Sequence, residues 1–371
     1  MLKNAPRGIR KQSGYAIVGI IAAVGIAATT LLVTTLSSAA IRNEQDRKTN
    51  AALALAKQAL IGRAAGDANR PGSLPCPDVD NDGVLTLGVD YAGGGACTAN
   101  IGRLPWRTLD LPDLRDGDGE RLWYAVSPNF QDIATNVINS TTVGQLSVSA
   151  VTATNIAALV FAPGAALSGQ QRGSAQQNTV ANYLEAYNAA DPLIFNSAGS
   201  TFNDKSVLVQ ASDIFAVVQK RIARETQTAL DAYFAANGKY PFAASLSNPG
   251  CAVDGVSATC TSVQNLTTGF LPGRPDAVSG FNPYTAGSAL LDAGSSDWFE
   301  ANKWRSVLLY NVAPECATAS PTCSTGTVTV TVTGLGGDQT LSNQKAVIVF
   351  SGVTTGTQNE QRKTTHMVGT P

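Results

Sequence analysis

The stretch that decides the fold is the first 65 residues, MLKNAPRGIRKQSG (1–14), YAIVGIIAAVGIAATTLLVTTL (15–36) and SSAAIRNEQDRKTNAALALAKQALIGRAA (37–65). The first segment contains four Lys and Arg residues and no acid. The second contains no charge and no proline, and as a helix its 22 residues would be about 33 Å long, enough to cross a bilayer core. Because basic residues before such a span stay in the cytoplasm, we predict a transmembrane helix over 15–36 with the remaining chain outside.

The third segment continues the helix without a breaker. Apolar and charged residues alternate in it with a mixed amphipathic pattern, which is typical of a helix that lies partly on a protein core. Gly66 and the Asn69–Gly72 stretch then supply residues that stop helices. The sequence therefore predicts one rod from about Tyr15 to about residue 65.

Three interpretations of this N-terminus compete. A removable signal peptide would be cut after Ser38-Ala39-Ala40, although its apolar core is usually shorter than the one here. A plain single-pass anchor would keep the whole segment. A prepilin-type leader would be cut before the apolar stretch, and it is favoured by the helix that runs on past residue 36.

The layout resembles the type IV pilin and type II secretion pseudopilin family. The matching residues are a basic leader that ends in Gly14, followed by Tyr15-Ala16-Ile17-Val18 at the start of the apolar helix. The resemblance implies that a prepilin peptidase cuts between Gly14 and Tyr15 and that the new N-terminus is methylated. Tyr replaces the usual Phe, and Gly19 occupies the fifth mature position, where most family members carry Glu.

The resemblance also implies a function. The chain would be a minor or tip-type subunit of a type IV pilus or type II secretion filament, because the missing Glu argues against a major, shaft-forming role. Its expected partners are other pilin or pseudopilin subunits, the prepilin peptidase and inner-membrane lipid. The expected location is the bacterial inner membrane with a periplasmic globular part, or the outside of the cell once in a filament. The alternative is a single-pass, membrane-tethered periplasmic adhesin or binding protein that does not polymerise.

Composition excludes several other classes. The 371 residues carry a net charge of −1, so that no overall basic field favours nucleic acid. The single histidine, His366, lies near the C-terminus, and nucleophile-elbow and zinc-protease motifs are absent from the sequence. We therefore predict that the protein is not an enzyme.

Six cysteines fall into three close pairs along the sequence. None of the pairs has the spacing of a zinc site, and an exported domain favours disulfides over free thiols. The expected pairs are Cys76 with Cys97, Cys251 with Cys260, and Cys316 with Cys323.

An internal repeat organises the globular part. Ala59-Leu60 aligns with Ala229-Leu230, and the landmarks that follow in the same order are Pro71 and Pro241, the cysteine pairs, Tyr124 and Tyr310, and Phe161 and Phe350. We predict an α+β fold in which the long N-terminal membrane-spanning helix enters a pilin-like domain of helix plus antiparallel sheet. A second, repeated pilin-like domain follows it. The predicted segments are a leader (1–14), a membrane or filament-core helix (15–36), a first domain (37–164, its helix ending near 65), a connecting loop region (165–205) and a second domain (206–371).

An acidic turn is the strongest candidate for a metal site. Asp78, Asp80 and Asp82 alternate along DVDNDG, and Gly83 permits a sharp bend, so that the carboxylates can converge on one hard cation. In a full EF-hand register Val89 stands where Glu is expected, and Asp90 is one residue late. The turn is therefore interpreted either as a calcium site or as a solvated acidic loop.

Overall fold

The computed structural model describes most of the first two-thirds of the chain and parts of the remainder. The described residues are 13–148, 152–185, 194–195, 202–243, 246, 266–271, 298–317, 323, 325–332, 339–351 and 367–370. The side chains of 13–38, 194–195, 236, 300, 332, 339 and 367–370 are outside the description. The pair Cys251 and Cys260 and the residue His366 also lie outside the described residues.

Helix α1 (Ser13–Gly66) is continuous over 54 residues. At 1.5 Å per residue it is about 81 Å long, and it does not break between residues 36 and 41, where a signal peptide would end. Its C-terminal half buries a stripe of positions three and four apart against the first sheet: Thr49, Ala52, Leu53, Ala56, Leu60 and Ala64. Within the part of the chain whose side chains are described, which starts at residue 39 of α1, no helix has the length and apolar character needed to cross a membrane.

The first sheet lies against this buried stripe. Its strands are β1 (Ile101–Arg103), β2 (Trp123–Val126), β4 (Ile156–Ala162) and β6 (Lys205–Gln210), adjacent in that order and all antiparallel. Every residue of β4 is buried because both faces of the strand are covered. A short parallel pair, β3 (Ser147–Val148) with β5 (Ile194–Phe195), lies apart from this sheet.

Strand β6 leads directly into helix α2 (Ala211–Asn237). The residue that caps its start is Gln210, whose backbone N–H donates a hydrogen bond to the side chain of Asp213 at 3.0 Å. Gly238 ends the helix with φ +68°. The domain boundary predicted at 205/206 falls within strand β6, which belongs to the first sheet.

The second sheet contains four antiparallel strands in the described residues. They are β7 (Thr268–Phe270), β8 (Leu308–Val312), β11 (Ala346–Phe350) and β12 (Met367–Thr370), adjacent in that order. Two short helices, α3 (Trp298–Ala301) and α4 (Pro314–Ala317), flank β8, and a hairpin of β9 (Val328–Val332) and β10 (Gln339–Gln344) precedes β11. The fold is thus mixed α and β with antiparallel sheets, as the sequence predicted at this coarse level.

Both sheets contain the same buried hydrogen bond. The Tyr124 hydroxyl donates to the carbonyl oxygen of Pro75 at 3.1 Å, and the Tyr310 hydroxyl donates to that of Pro241 at 3.0 Å. Each tyrosine is the second or third residue of the second strand of its sheet. Because a buried hydroxyl needs a partner, this bond fixes the loop after each helix to its sheet.

The hydrogen bonds and the strand register match two landmarks of the sequence alignment differently. Pro75, and not Pro71, occupies the place of Pro241, because these two prolines accept the tyrosine hydroxyls. Tyr124 pairs with Val160 and Tyr310 with Ile348, so that Phe350 corresponds to Ala162 rather than to Phe161.

The segment after β4 is more than a surface connection. Tyr183 and Leu184 are buried on the outer face of the first sheet with Trp123 and Phe161. The Arg103 guanidinium lies between the rings of Trp123 and Tyr183, 4.2 and 4.1 Å from their centroids, and donates to the carbonyl of Gln177 at 2.6 Å. Residues 165–185 therefore form a cover for the sheet.

One hydrophobic core joins the two halves of the molecule. Phe215 of α2 lies between Phe130 and Trp304, with ring centroids 5.9 and 6.1 Å away. Asn139 Nδ2 donates to the carbonyl of Asn302 at 2.9 Å in a buried contact. The halves consequently share apolar and polar contacts rather than a loose linker.

Candidate functional site

The acidic turn lies in a loop closed by a disulfide. Cys76 and Cys97 are bonded, with their Cα atoms 5.3 Å apart and a sequence separation of 21. Closing a loop of this size restricts the unfolded chain and is worth about 3 kcal/mol in the chain-entropy model. The loop that presents the three aspartates is thus held at both ends. Cys316 and Cys323 form a second disulfide, in the second half of the chain.

Asp78 organises the tip of this loop. Its side chain, in a residue that is 1% exposed, accepts hydrogen bonds from the backbone N–H groups of Asn81 at 2.6 Å and Gly83 at 2.7 Å. Asn81 and Gly83 both have positive φ, 68° and 87°, a conformation that asparagine and glycine adopt most readily. A Cβ on Gly83 would also lie 2.5 Å from the indole nitrogen of Trp106, so that glycine is required here.

Asp90 organises the base of the loop. It is fully buried, and its carboxylate accepts hydrogen bonds from the backbone N–H groups of Val79 at 2.7 Å and Thr86 at 2.8 Å. The sequence placed Asp90 one residue late for the last ligand of a calcium loop. The structure shows that Asp90 instead holds the backbone of the loop.

The surroundings of the buried Asp78 carboxyl group disfavour its charged form. Burial raises the pKa of Asp78 to about 6, although hydrogen bonds from Gly83 and Asn81 oppose the rise. A hydrogen bond with Asp80 and repulsion from the Asp90 carboxylate raise this pKa further. Negative charge on Asp78 is therefore unfavourable, and a proton or a cation bound there would relieve it.

The structure brings the three candidate ligands together. One carboxylate oxygen from each of Asp78, Asp80 and Asp82 can be chosen so that all three lie within 4.8 Å of one another. Asp78 is buried and fixed, whereas Asp80 and Asp82 are exposed. Oxygen donors of this kind suit calcium, which usually takes six to eight, so that water or further oxygens would have to complete the shell.

A second acidic stretch, residues 110–120, has a structural role. Asp116 is buried and accepts hydrogen bonds from the backbone N–H groups of Glu120 at 2.9 Å and Gly164 at 2.8 Å. The Asp113 carboxylate binds the guanidinium of Arg121 at 2.8 Å. The backbone N–H of Gly117 donates to the Thr49 hydroxyl at 2.9 Å, which attaches this loop to α1.

The expected cleavage site lies at the start of α1. Gly14 and Tyr15 lie in the first turn of α1, but their side chains and those of the rest of 15–36 are outside the described residues. The described part of α1 has one face buried on the sheet and an opposite face exposed, with Ile41 60% and Leu55 40% exposed.

Sequence reasoning missed the contacts between α1 and α2. Lys57 Nζ lies 2.7 Å from Asp213 Oδ2, and Arg221 Nη1 donates to the carbonyls of Ala65 at 2.9 Å and Asp67 at 2.7 Å. Charged residues off the apolar stripe of a helix resemble solvated ones in a sequence. A sequence signal for these contacts is a lysine on one amphipathic helix and an aspartate and an arginine on the other.

Comparison with known proteins adds no relative: no family model matches the chain, and neither a curated protein nor a solved structure matches it significantly.

Proposed function

We propose that this chain is a pilin-like structural subunit of a type IV pilus or type II secretion filament. Before assembly it would be anchored in the bacterial inner membrane by residues 15–36, with the globular part in the periplasm. Prepilin peptidase would remove the leader after Gly14, and the helix that starts at Tyr15 would then pack among those of other subunits. Close contact between small residues and exclusion of lipid would drive that packing.

The continuity of α1 is the observation that carries this proposal. An ordinary exported protein would be cut near Ala40, in the middle of this helix. In the structure α1 runs unbroken through that position, and its later turns form part of the core of the first sheet. A filament subunit needs this arrangement, in which the apolar N-terminal half of α1 continues without a break into a C-terminal half that is packed in the globular part.

The second half of the chain supports the same class. In the described residues, each half contains a helix followed by a main sheet of four antiparallel strands that are adjacent in chain order, and each contains the tyrosine–proline hydrogen bond. We infer that the two halves are repeated pilin-like domains, of which the first has the membrane span. Gly19, in the place of the usual Glu, favours a minor or tip position, since the Glu is the residue expected to pair with a neighbour's N-terminal amine.

The decisive experiment is the sequence of the mature N-terminus. The full chain is expressed with and without a prepilin peptidase, and its N-terminal peptide is measured by mass spectrometry. We expect a methylated Tyr15 only when the peptidase is present. Gly14→Glu should abolish this product because a charged side chain replaces the smallest one at the cut.

Gly8→Glu is the matched control, since it adds the same charge to the leader six residues before the cut and should still be processed. A mature start at Ile41 would instead identify an ordinary secreted protein. An uncut chain in both hosts would favour the tethered adhesin or binding protein. Either result would reject the filament assignment.

A further inference from the structure

The two disulfides that the structure describes differ in their access to solvent. Cys316 is 0% and Cys323 is 7% exposed, and both belong to the main hydrophobic core. Cys76 is also buried, but its partner Cys97 is half-buried and packs against that core from its surface. Thiol–disulfide exchange starts when a thiolate reaches one of the two sulfur atoms, so that access to Cys97 is sufficient for attack on the first disulfide.

The chain that leads to Cys97 is a surface turn. Residues 92–94 are exposed. The turn contains a hydrogen bond from the backbone N–H of Gly95 to the carbonyl of Ala92 at 3.1 Å, and the N–H of Ala134 donates to the turn from outside at 3.2 Å. Segments with exposed backbone bonds and little buried apolar surface open locally, without unfolding of the sheet.

The loop that this disulfide closes contains two groups that favour an open loop. The carboxylates of Asp78 and Asp90 are buried and accept hydrogen bonds from backbone N–H groups of the same loop. Neither has an ion-pair partner among the described residues. Because a buried carboxylate without a counter-charge is less stable than one in water, the cross-link helps to keep both inside.

The tip of the loop contacts two neighbouring segments through Asn81. Its side-chain amide donates to Gln177 Oε1 at 3.2 Å, and its backbone carbonyl accepts a hydrogen bond from Arg121 at 2.7 Å. Gln177 belongs to the cover of the first sheet, residues 165–185. Opening of the loop would therefore remove one of the contacts that hold this cover.

We propose that the Cys76–Cys97 disulfide is a redox-sensitive switch on the acidic loop, which a small dithiol opens in the folded protein while Cys316–Cys323 stays closed. One thiolate of the dithiol attacks Cys97 Sγ, forms a mixed disulfide and expels the Cys76 thiolate. The second thiolate attacks the reagent's own sulfur in that mixed disulfide and expels the Cys97 thiolate.

In this exchange the dithiol is oxidised to a cyclic disulfide and both cysteines are reduced. The two protons of the dithiol pass to the two cysteine thiolates. The loop between the cysteines then opens, and Asp78 and Asp90 become hydrated. The proposal depends neither on the filament assignment nor on the repeat.

Timed thiol labelling of the full-length chain in detergent tests the selectivity. The chain is treated with dithiothreitol at several urea concentrations, free thiols are alkylated at intervals, and each cysteine-containing peptide is measured by mass spectrometry. Without urea, we expect Cys76 and Cys97 to be alkylated at least about tenfold faster than Cys316 and Cys323, because the first pair needs only local opening. Equal rates for the two pairs, or labelling of the first pair only within the unfolding transition, would overturn the proposal.

Chymotrypsin tests whether the reduced loop opens. Its cleavage sites in the loop are Leu85, Leu87 and Tyr91. We expect cleavage there in the chain reduced at the first disulfide and not in the oxidised chain, because proteolysis follows the open population. A reduced loop that resists chymotrypsin as long as the oxidised loop does would contradict the switch.

Two double variants are matched controls for this digestion. Cys76→Ser with Cys97→Ser should be cleaved in the loop whether or not dithiothreitol is present. Cys316→Ser with Cys323→Ser retains the switch and should be cleaved there only after reduction. The opposite pattern would assign the effect to the second disulfide, and the labelling of the wild-type chain decides the question if a variant does not fold.

Discussion

Replacing Arg221 by methionine should destabilise the protein by removing a cation from the end of α1. The last carbonyls of a helix have no partner within it, and Arg221 Nη1 supplies one to Ala65 and to Asp67. A hydrogen bond to a charged donor contributes about 1.5–3 kcal/mol, and a cation at a helix C-terminus about 0.3–1 kcal/mol. Because both bonds share one nitrogen, we expect a total loss of about 2–4 kcal/mol in the free energy of unfolding.

The ion pair of Arg221 with Glu225 supplies the control. This pair is four residues apart on one helix and partly exposed, and such pairs contribute only about 0.3–0.5 kcal/mol. Urea unfolding of the detergent-solubilised chain, followed by tryptophan fluorescence, measures both variants; Trp298 lies 5.2 Å from the Arg221 guanidinium. Arg221→Lys should retain about half of the stabilisation. If Glu225→Gln lowers the free energy of unfolding as much as Arg221→Met does, the reasoning is wrong. The ion pair, rather than the hydrogen bonds to the end of α1, would then account for the loss.

Three further predictions follow from the loop and the sheets. Calcium should raise the melting temperature of the wild type but not of Asp80→Ala, and an equal response in both would leave the acidic turn a solvated loop. Burial would raise the pKa of Asp67, but hydrogen bonds from Arg70 and Arg63 outweigh this effect and lower the pKa. The ionised Asp67 therefore stabilises the fold above about pH 4, and this stabilisation is lost as the pH falls further. Asp67→Asn should flatten the acid limb of a pH–stability curve, and an unchanged limb would contradict this. Tyr124→Phe should cost about 1–3 kcal/mol in the free energy of unfolding, because it leaves a buried carbonyl without a partner; a neutral effect would show that water replaces the hydroxyl.

Periodicity made the helices and the coarse fold class predictable. The uninterrupted run after Tyr15 and the amphipathic pattern up to Gly66 determine α1, and the stripe from Ile214 to Tyr233 determines most of α2. The described disulfides join Cys76 to Cys97 and Cys316 to Cys323, pairs that are adjacent in the sequence.

Loops gave no comparable signal. Pro71 and Pro75 differ by four residues in a segment without periodicity, so that only the acceptor of the tyrosine hydroxyl identifies the equivalent proline. Asp90 resembles a displaced ligand in the sequence because composition does not show which carboxylates face backbone N–H groups. Likewise the polar composition of 165–185 hid Tyr183, whose burial depends on the distant Arg103.

The end of α1 links the two halves energetically. The carbonyls of Ala65 and Asp67 are satisfied by α2, and Gly72 lies against Phe215 of the same helix, where a Cβ would approach that ring to 3.3 Å. Unfolding the second half would therefore expose unpaired groups and apolar surface of the first, and the two cannot separate without cost. Because the C-terminal end of α1 is bonded to α2, the position of α1 determines the positions of both halves. In the proposed filament, the anchored helix would thus fix the orientation of the whole globular part, and a hinge between the halves is not expected.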